Sequence, residues 1–254
     1  MVIEYEKNDN YAVITLNRPE ARNAVNGAVA SRMEEILDDY ESDPDLWAAI
    51  LTANGPAFCA GADLKEIAAG RGNELGTRKG GFAGLVKRQR VKPLIAAIKG
   101  SALAGGTEIA LACDMIVCSS ETQFGLPEVK RSLVAAAGGL FRLPRTIGMA
   151  PALEMIMTGD PLSAERAYQL GMVNYVVDEN EVMNSAIALT NRVIAAAPIA
   201  VQESRGVAIN AFTASDEELW QASIEAFARN AKTEDYQEGP RAFIEKRAAN
   251  WKGA

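Results

Sequence analysis

Apolar and polar positions alternate over the first eighteen residues with a period of two. Val2-Ile3-Glu4-Tyr5-Glu6, a polar turn at Asn8-Asp9-Asn10 and Tyr11-Ala12-Val13-Ile14-Thr15-Leu16 predict a β-hairpin that Pro19 ends. The period then changes. Val29, Met33, Ile36 and Leu37 recur at helical spacing, which predicts a helix from about Asn26 to Glu41. Trp47 to Thr52 predicts a strand, Asn54 to Ala62 a loop of small residues, and Asp63-Leu64-Lys65-Glu66-Ile67 a helix start. Residues 70–84 carry six glycines among mixed charges and predict a mobile surface loop.

The middle of the chain alternates strand, loop and helix. Leu94 to Ile98 predicts a buried strand, Thr107 to Ala112 a small-residue helix and Met115 to Cys118 another strand. That alternation predicts an α/β layered fold. From about Pro144 the helical pattern dominates, near 149–157, 163–170 and 181–196, with one strand-like run at Met172 to Val177. Three helices are predicted over 198–248, broken near Thr213-Ala214-Ser215 and Lys232-Thr233. A boundary near Pro198 divides a core, 1–197, from a helical region, 198–254.

Composition narrows the chemistry. The chain has 254 residues, long enough to bury one sizeable core. Lys and Arg number 26 against 33 Asp and Glu, a net charge of −7. That balance argues against a nucleic-acid partner, while leaving room for a local cationic patch that binds a small anion. There is no histidine. Ser-His-Asp and Cys-His catalysis and His-ligated metal sites are therefore excluded. Proton transfer near neutral pH falls to carboxylates of raised pKa, or to Lys, Tyr or Cys. Cys59, Cys113 and Cys118 fit no zinc spacing and read as buried free thiols in a reducing compartment. No apolar run approaches a membrane span, and the first residues lack the pattern of a signal peptide. A cytoplasmic setting is expected.

Phosphate motifs give little. Gly70, Gly72 and Gly76 have the wrong spacing for a dinucleotide fingerprint, and no GxxxxGK[ST] or GxSxG occurs. Residues 94–118 are more informative, with Lys99, Glu108 and Asp114 their only charges. Glu108 lies among small and apolar neighbours. It is either a carboxylate in the core with a raised pKa, or a first-turn acid complementing a helix dipole. Glu128, in Phe124-Gly125-Leu126-Pro127-Glu128-Val129, taken alone reads as an exposed turn carboxylate. Together the two form natural acid–base machinery in a chain without histidine. Gly61-Ala62 before Asp63, and Ala104-Gly105-Gly106 before Thr107, each precede a helix start. Their free amides could form an oxyanion hole, or the glycines could serve close helix–strand packing.

These segments resemble, in order and over nearly the whole chain, the crotonase (enoyl-CoA hydratase/isomerase) superfamily. The resemblance rests on Asn17-Arg18-Pro19-Glu20-Ala21-Arg22-Asn23-Ala24, on Phe58-Cys59-Ala60-Gly61-Ala62-Asp63-Leu64-Lys65-Glu66, and on Leu103-Ala104-Gly105-Gly106-Thr107-Glu108 with Cys113-Asp114. It continues through Phe124 to Val129, Gly138-Gly139-Leu140-Phe141-Arg142-Leu143-Pro144, Thr158-Gly159, and Ala164, Ala167 and Leu170 to Val173.

The resemblance implies a crotonase (ClpP/crotonase-like) spiral of ββα units with a C-terminal helical trimerisation region. The assembly would be a homo-trimer or dimer of trimers. The substrate would be an acyl-CoA thioester, with coenzyme A part of the substrate and no metal or redox cofactor. Carried over by position, the backbone amides of Ala62 and Gly105 would bind the thioester oxygen. Glu108 and Glu128, twenty residues apart as in the two-glutamate type, imply syn addition of water to a trans-2-enoyl-CoA. Glu108 would deprotonate the water and Glu128 protonate the α-carbon. Arg22, Ala24, Ala60, Asp63, Leu64 and Lys65 would line the CoA path, although Arg22 also reads as a surface charge. Phe243 and Lys246 resemble a pair that reaches CoA from an adjacent subunit, although Lys246 also reads as a solvated helix charge. Lys130 to Ala137 departs from the Pro-Gly-rich version of the best-known fatty-acid hydratases and looks closer to carnitinyl-CoA dehydratase-like members. That leaves a carnitinyl-CoA dehydratase-like enzyme or a Δ3-Δ2 enoyl-CoA isomerase as alternatives within the family, and a CoA- or RNA-binding scaffold as the alternative outside enzymes.

Overall fold

The computed structural model describes residues 1–254. The predicted hairpin forms from β1 (Ile3–Lys7) and β2 (Tyr11–Leu16), paired antiparallel. Asn26 caps α1 (Gly27–Ser42) by accepting the Val29 amide at 3.0 Å. Val29, Met33, Ile36, Leu37 and Tyr40 of that helix are buried.

Next come β3 (Ala48–Ala53), β4 (Ala57–Cys59), α2 (Leu64–Ala68), β5 (Gly76–Thr77) and β6 (Gly81–Phe82). They are followed by β7 (Leu94–Ile98), β8 (Ser101–Leu103), α3 (Gly105–Ala112), β9 (Met115–Ser119) and β10 (Gln123–Gly125). A 3-10 turn at Pro127–Arg131 leads to α4 (Gly139–Ile147), α5 (Met149–Thr158), β11 (Leu162–Ser163) and α6 (Ala164–Gln169). The chain closes with β12 (Tyr175–Val177), α7 (Val182–Ile194), α8 (Pro198–Ala208), α9 (Asp216–Asn230) and α10 (Glu234–Glu245).

Two main sheets result. The larger runs β1-β2-β3-β7-β9-β12 and is parallel from β2 onward; the smaller runs β11-β10-β8-β4, with β4, β8 and β10 parallel. The interleaving defines the spiral. β3, β7 and β9 are neighbours in the large sheet, and the strand following each, β4, β8 and β10, joins the small one. The large sheet is buried on both faces. The main apolar core covers one face, and Val182, Ala186 and Leu189 of α7 pack on Ile50, Ile95, Ala97 and Val117 of the other. Its inner strands are accordingly near-continuous apolar runs.

Several expectations change. The segment 70–84 is not an open surface loop. It folds into a 3-10 turn and the β5–β6 pair, with Leu75 and Ala83 buried against the core and the Gly80 amide donating to Glu34 Oε2 of α1 at 2.9 Å. The loop predicted over 54–62 contains β4, and β8 was not foreseen; each has only three residues, too few for a period to show. Helix α4 begins at Gly139, ahead of the helical pattern read from about Pro144, and holds that proline inside it. The strand predicted from Met172 is confined to Tyr175–Val177. The three C-terminal helices are found, with Pro198 the first residue of α8. No single helix is long and apolar enough to cross a membrane.

Candidate active site

Three consecutive strands of the small sheet deliver the site. The chain leaving β4 carries Ala62, the chain leaving β8 opens α3 with Gly105 and Glu108, and the chain leaving β10 enters the turn that holds Glu128. The carboxyl ends of parallel strands are where open α/β sheets bind ligands.

The first turn of α3 is tied down from both sides. The Thr107 hydroxyl lies 2.6 Å from the Ala102 carbonyl and 2.9 Å from that of Gly125, and it accepts the Gly125 amide at 3.0 Å. Ala104 immediately before the helix has φ 52°, a backbone region that residues with a β-carbon rarely enter. Its amide is held by the Gly125 carbonyl at 2.8 Å. The neighbouring loop is pinned as firmly. Ala60 donates to Arg22 O at 3.0 Å, Val25 to Gly61 O at 2.8 Å and Asp63 to Val25 O at 2.9 Å. A β-carbon on Gly61 would lie 2.7 Å from that of Ala104 and 2.9 Å from the Gly105 nitrogen. Glycine is thus what lets the two loops touch.

Between these fixed neighbours, the amides of Ala62 and Gly105 donate to no backbone or side-chain acceptor. The two readings of the glycines prove compatible: Gly61 and Gly106 serve close packing, and that packing brings two free amides together.

Ala62 and Gly105 both line one cavity of about 1300 Å³. Arg22, Ala24, Ala60, Asp63, Leu64, Lys65, Glu108 and Glu128 also line it, so ten of the twelve site residues predicted from sequence converge. Its walls include six cations, Arg18, Arg22, Lys65, Lys87, Arg131 and Arg142, against four carboxylates, Glu20, Asp63, Glu108 and Glu128. A chain of net charge −7 therefore has a cavity with a cationic excess, suited to a polyanionic ligand.

Glu108 is 3 % exposed, and its Oε1 accepts the Gly139 amide of α4 at 2.9 Å. Burial pushes its pKa up; the Gly139 and Ala137 amides and the Arg142 charge pull the other way. Glu128 is not the exposed turn acid that its local sequence suggested. It is half-buried, and its Oε2 is enclosed without a hydrogen-bond partner. Burial raises its pKa, the charge of Glu108 raises it further, and Arg131 opposes. The charge of Glu108 reaches Glu128, and two carboxyls of raised pKa on one cavity are chemically suited to proton transfer.

Asp63 lines the cavity but is committed elsewhere: it pairs with Arg18 at 3.1 Å and caps α2 through the Lys65 amide at 3.1 Å. Phe243 and Lys246 do not reach the cavity of their own chain; Phe243 is 85 % exposed, and Lys246 ends α10 in a left-handed conformation. Sequence reasoning missed Phe82, Val86 and Arg142 on the cavity wall and the Gly139 amide as the anchor of Glu108. The doubled glycine at 138–139 with an arginine three residues on was the one available signal.

The enoyl-CoA hydratase/isomerase family model matches residues 6–254. This chain belongs to the enoyl-CoA hydratase/isomerase family. A short-chain-enoyl-CoA hydratase of Clostridium acetobutylicum is 38% identical over 247 residues, covering 95% of this chain and 94% of that protein. A carnitinyl-CoA dehydratase of Proteus mirabilis is 40% identical over 246 residues, with 94% of each chain covered. Among solved structures, an enoyl-CoA hydratase from Mycobacterium marinum superposes with a TM-score of 0.95 at 42% identity, covering 100% of this chain and 99% of that one.

Proposed function

We propose that the protein is an enoyl-CoA hydratase, a hydro-lyase that adds water to a trans-2-enoyl-CoA and gives the 3-hydroxyacyl-CoA. The observation that carries this reading is the pair Glu108 and Glu128, both of raised pKa, facing the same cavity as two unpartnered amides.

The thioester oxygen accepts the amides of Ala62 and Gly105. As water attacks the β-carbon, the electron pair of the carbon–carbon double bond moves through the α-carbon to that oxygen, and the resulting enolate is held by the two N–H groups. Losing one such donor costs about 10²–10³ in rate. Glu108, ionised, takes one proton from the water while its oxygen bonds to the β-carbon. Glu128, protonated, returns a proton to the α-carbon as the enolate collapses. One water is added overall. Glu108 ends protonated and Glu128 ionised, and a proton passing between them through the next water restores the pair. The cations lining the cavity, Arg22 and Lys65 among them, would neutralise CoA phosphates.

The deciding experiment follows the ultraviolet absorbance of crotonyl-CoA mixed with purified protein. A steady, enzyme-dependent fall is expected; no change with short, medium and long enoyl-CoA substrates overturns the reading. A second reading, dehydration of a carnitinyl-type thioester, is favoured by the Proteus mirabilis relative and by Leu133, Val134, Ala136 and Ala137 of the divergent segment lining the cavity. It uses the same groups in reverse, and comparing kcat/KM for the two substrates separates the readings. The exposed Trp220, Ile224, Phe227, Phe243 and Ile244 of the C-terminal helices, with Phe212 in the turn between α8 and α9, support a trimer or hexamer that covers them. Sedimentation of a stable, active monomer would contradict it.

A further inference from the structure

Arg142 is a half-buried cavity-wall guanidinium that takes part in none of the chain's ion pairs. It is spent on carbonyls: Nη2 donates to Val86 O at 2.6 Å and Nη1 to Ala137 O at 3.4 Å. It thereby ties α4 to the segment after β6 and to the residues just before its own helix. Its Nη1 fills the space a β-carbon on Gly138 would need. One turn back on the same helix stands Gly139, whose amide holds Glu108 Oε1 at 2.9 Å.

We infer that Arg142 is a positioning residue for the hydration reaction: it fixes the first turn of α4 so that the Gly139 amide meets Glu108, and its charge favours the ionised form of that carboxyl.

A buried cation without a counter-ion is costly, so a nearby anion is strongly favoured. Of the charges acting on Arg142, Glu108 on α3 is the leading attractive one, with Cys113 behind α3 a lesser one. Arg90, ahead of β7, and Arg145, on α4, repel it. Arg90 is itself satisfied by Asp114 at 3.0 Å. Glu108 is faced by Arg142 and, across the site, by Glu128, which in turn is faced by Arg131. Arg131 favours ionised Glu128 in the same way that Arg142 favours ionised Glu108. Arg142 in addition holds the turn that anchors Glu108. It acts through Glu108 and makes no contact with the reacting atoms.

This assignment rests on the hydratase reading, and its test keeps the two apart. We would measure kcat and kcat/KM against pH for the wild type and for Arg142→Gln, Arg142→Met and Arg142→Lys with crotonyl-CoA. Glutamine keeps a donor for the carbonyls without charge, and provides a neutral variant should the methionine variant not fold. In the neutral variants the acid limb of kcat/KM should move up by about one pH unit, as expected when a carboxyl loses a nearby cation. Their kcat should fall about 10–100-fold while KM changes by less than about threefold. Lysine should keep the acid limb at its wild-type position and lose only part of kcat, since an ammonium cannot span both carbonyls. A wild-type acid limb in the neutral variants overturns the assignment, however far kcat falls, and so does a lysine limb that moves as far as the glutamine one. Titration of the Glu108 carboxyl by ¹³C NMR, assigned with Glu108→Gln, reads the same shift without turnover. An unmoved titration in Arg142→Gln refutes the role of Arg142; an inert wild type refutes only the hydratase reading.

Discussion

The first turn of α3 and the 3-10 turn at Pro127–Arg131 each present one glutamate to the same cavity, and they treat it differently. Glu108 sits on a helix anchored by Thr107 to two strands, has one oxygen on the Gly139 amide, and feels the charge of Arg142. Glu128 sits on a short turn, has one oxygen enclosed without a donor, and feels the negative charge of Glu108. Burial raises both carboxyls, and each has a backbone donor and a cation that oppose it; the charge of Glu108 is the added influence on Glu128. The lesson is that the division of labour lies in the neighbours of the carboxylates.

The hardest way to break this contrast is to remove the base. Glu108→Gln should lower kcat by about 10³, within the range for loss of a general base. CoA affinity, measured by titration calorimetry, should stay near wild type. Turnover above a tenth of the wild-type rate would end the assignment of Glu108.

Glu128→Gln should cost about 10² in kcat. The wild-type kcat/KM profile should fall at low pH as Glu108 takes up a proton and at high pH as Glu128 loses one. Both limbs should lie above the ordinary carboxylate range, since both pKa values are raised. An alkaline limb that persists unchanged in Glu128→Gln would assign that limb to another group.

A finer change sharpens the comparison by disturbing only the anchor. A β-carbon on Gly139 would lie 3.1 Å from Glu108 Oε1 and 3.0 Å from Leu126 Cδ1, so Gly139→Ala should push the carboxylate aside. About a tenfold loss in kcat with little change in KM is expected, because misplacing a catalytic group mainly slows the chemical step. Wild-type kinetics would show that the anchor is dispensable.

The smallest effect is on stability. The folded pKa of Glu128 lies above its unfolded value, so ionising it costs the folded state. That cost is absent below the unfolded pKa, grows as pH rises through the interval, and is complete above the folded pKa. Glu128→Gln should therefore stabilise the protein at neutral pH, by less than any of the kinetic effects above. The gain should vanish in acid, as thermal melts at both pH values would show.

Long elements were legible in the sequence because their periods are long enough to count: the hairpin, α1, the apolar strands β3, β7 and β9, and the three C-terminal helices. The three-residue strands β4 and β8 were not, although they create the ledge on which the site is built. The segment 70–84 misled because six glycines suggested disorder, whereas Gly80 and Gly84 are there for close backbone approach. Glu108 stood out as a lone acid in an apolar stretch. Arg18 and Arg142 did not, because an arginine beside ordinary neighbours carries no local mark of the distant carboxylate or carbonyl it will meet.

From its own order of residues, the chain determined which segments become strands and helices, that histidine chemistry is impossible, and that two acids and two glycine-bearing loops are available. Those are local properties, written in spacing and side-chain type. Only the tertiary structure decided that β4, β8 and β10 lie side by side, so that residues 62, 105, 108 and 128 open on one cavity. Only it decided which glutamate receives the amide and the guanidinium, because burial and charge at a carboxyl are set by groups far away along the chain and close in space.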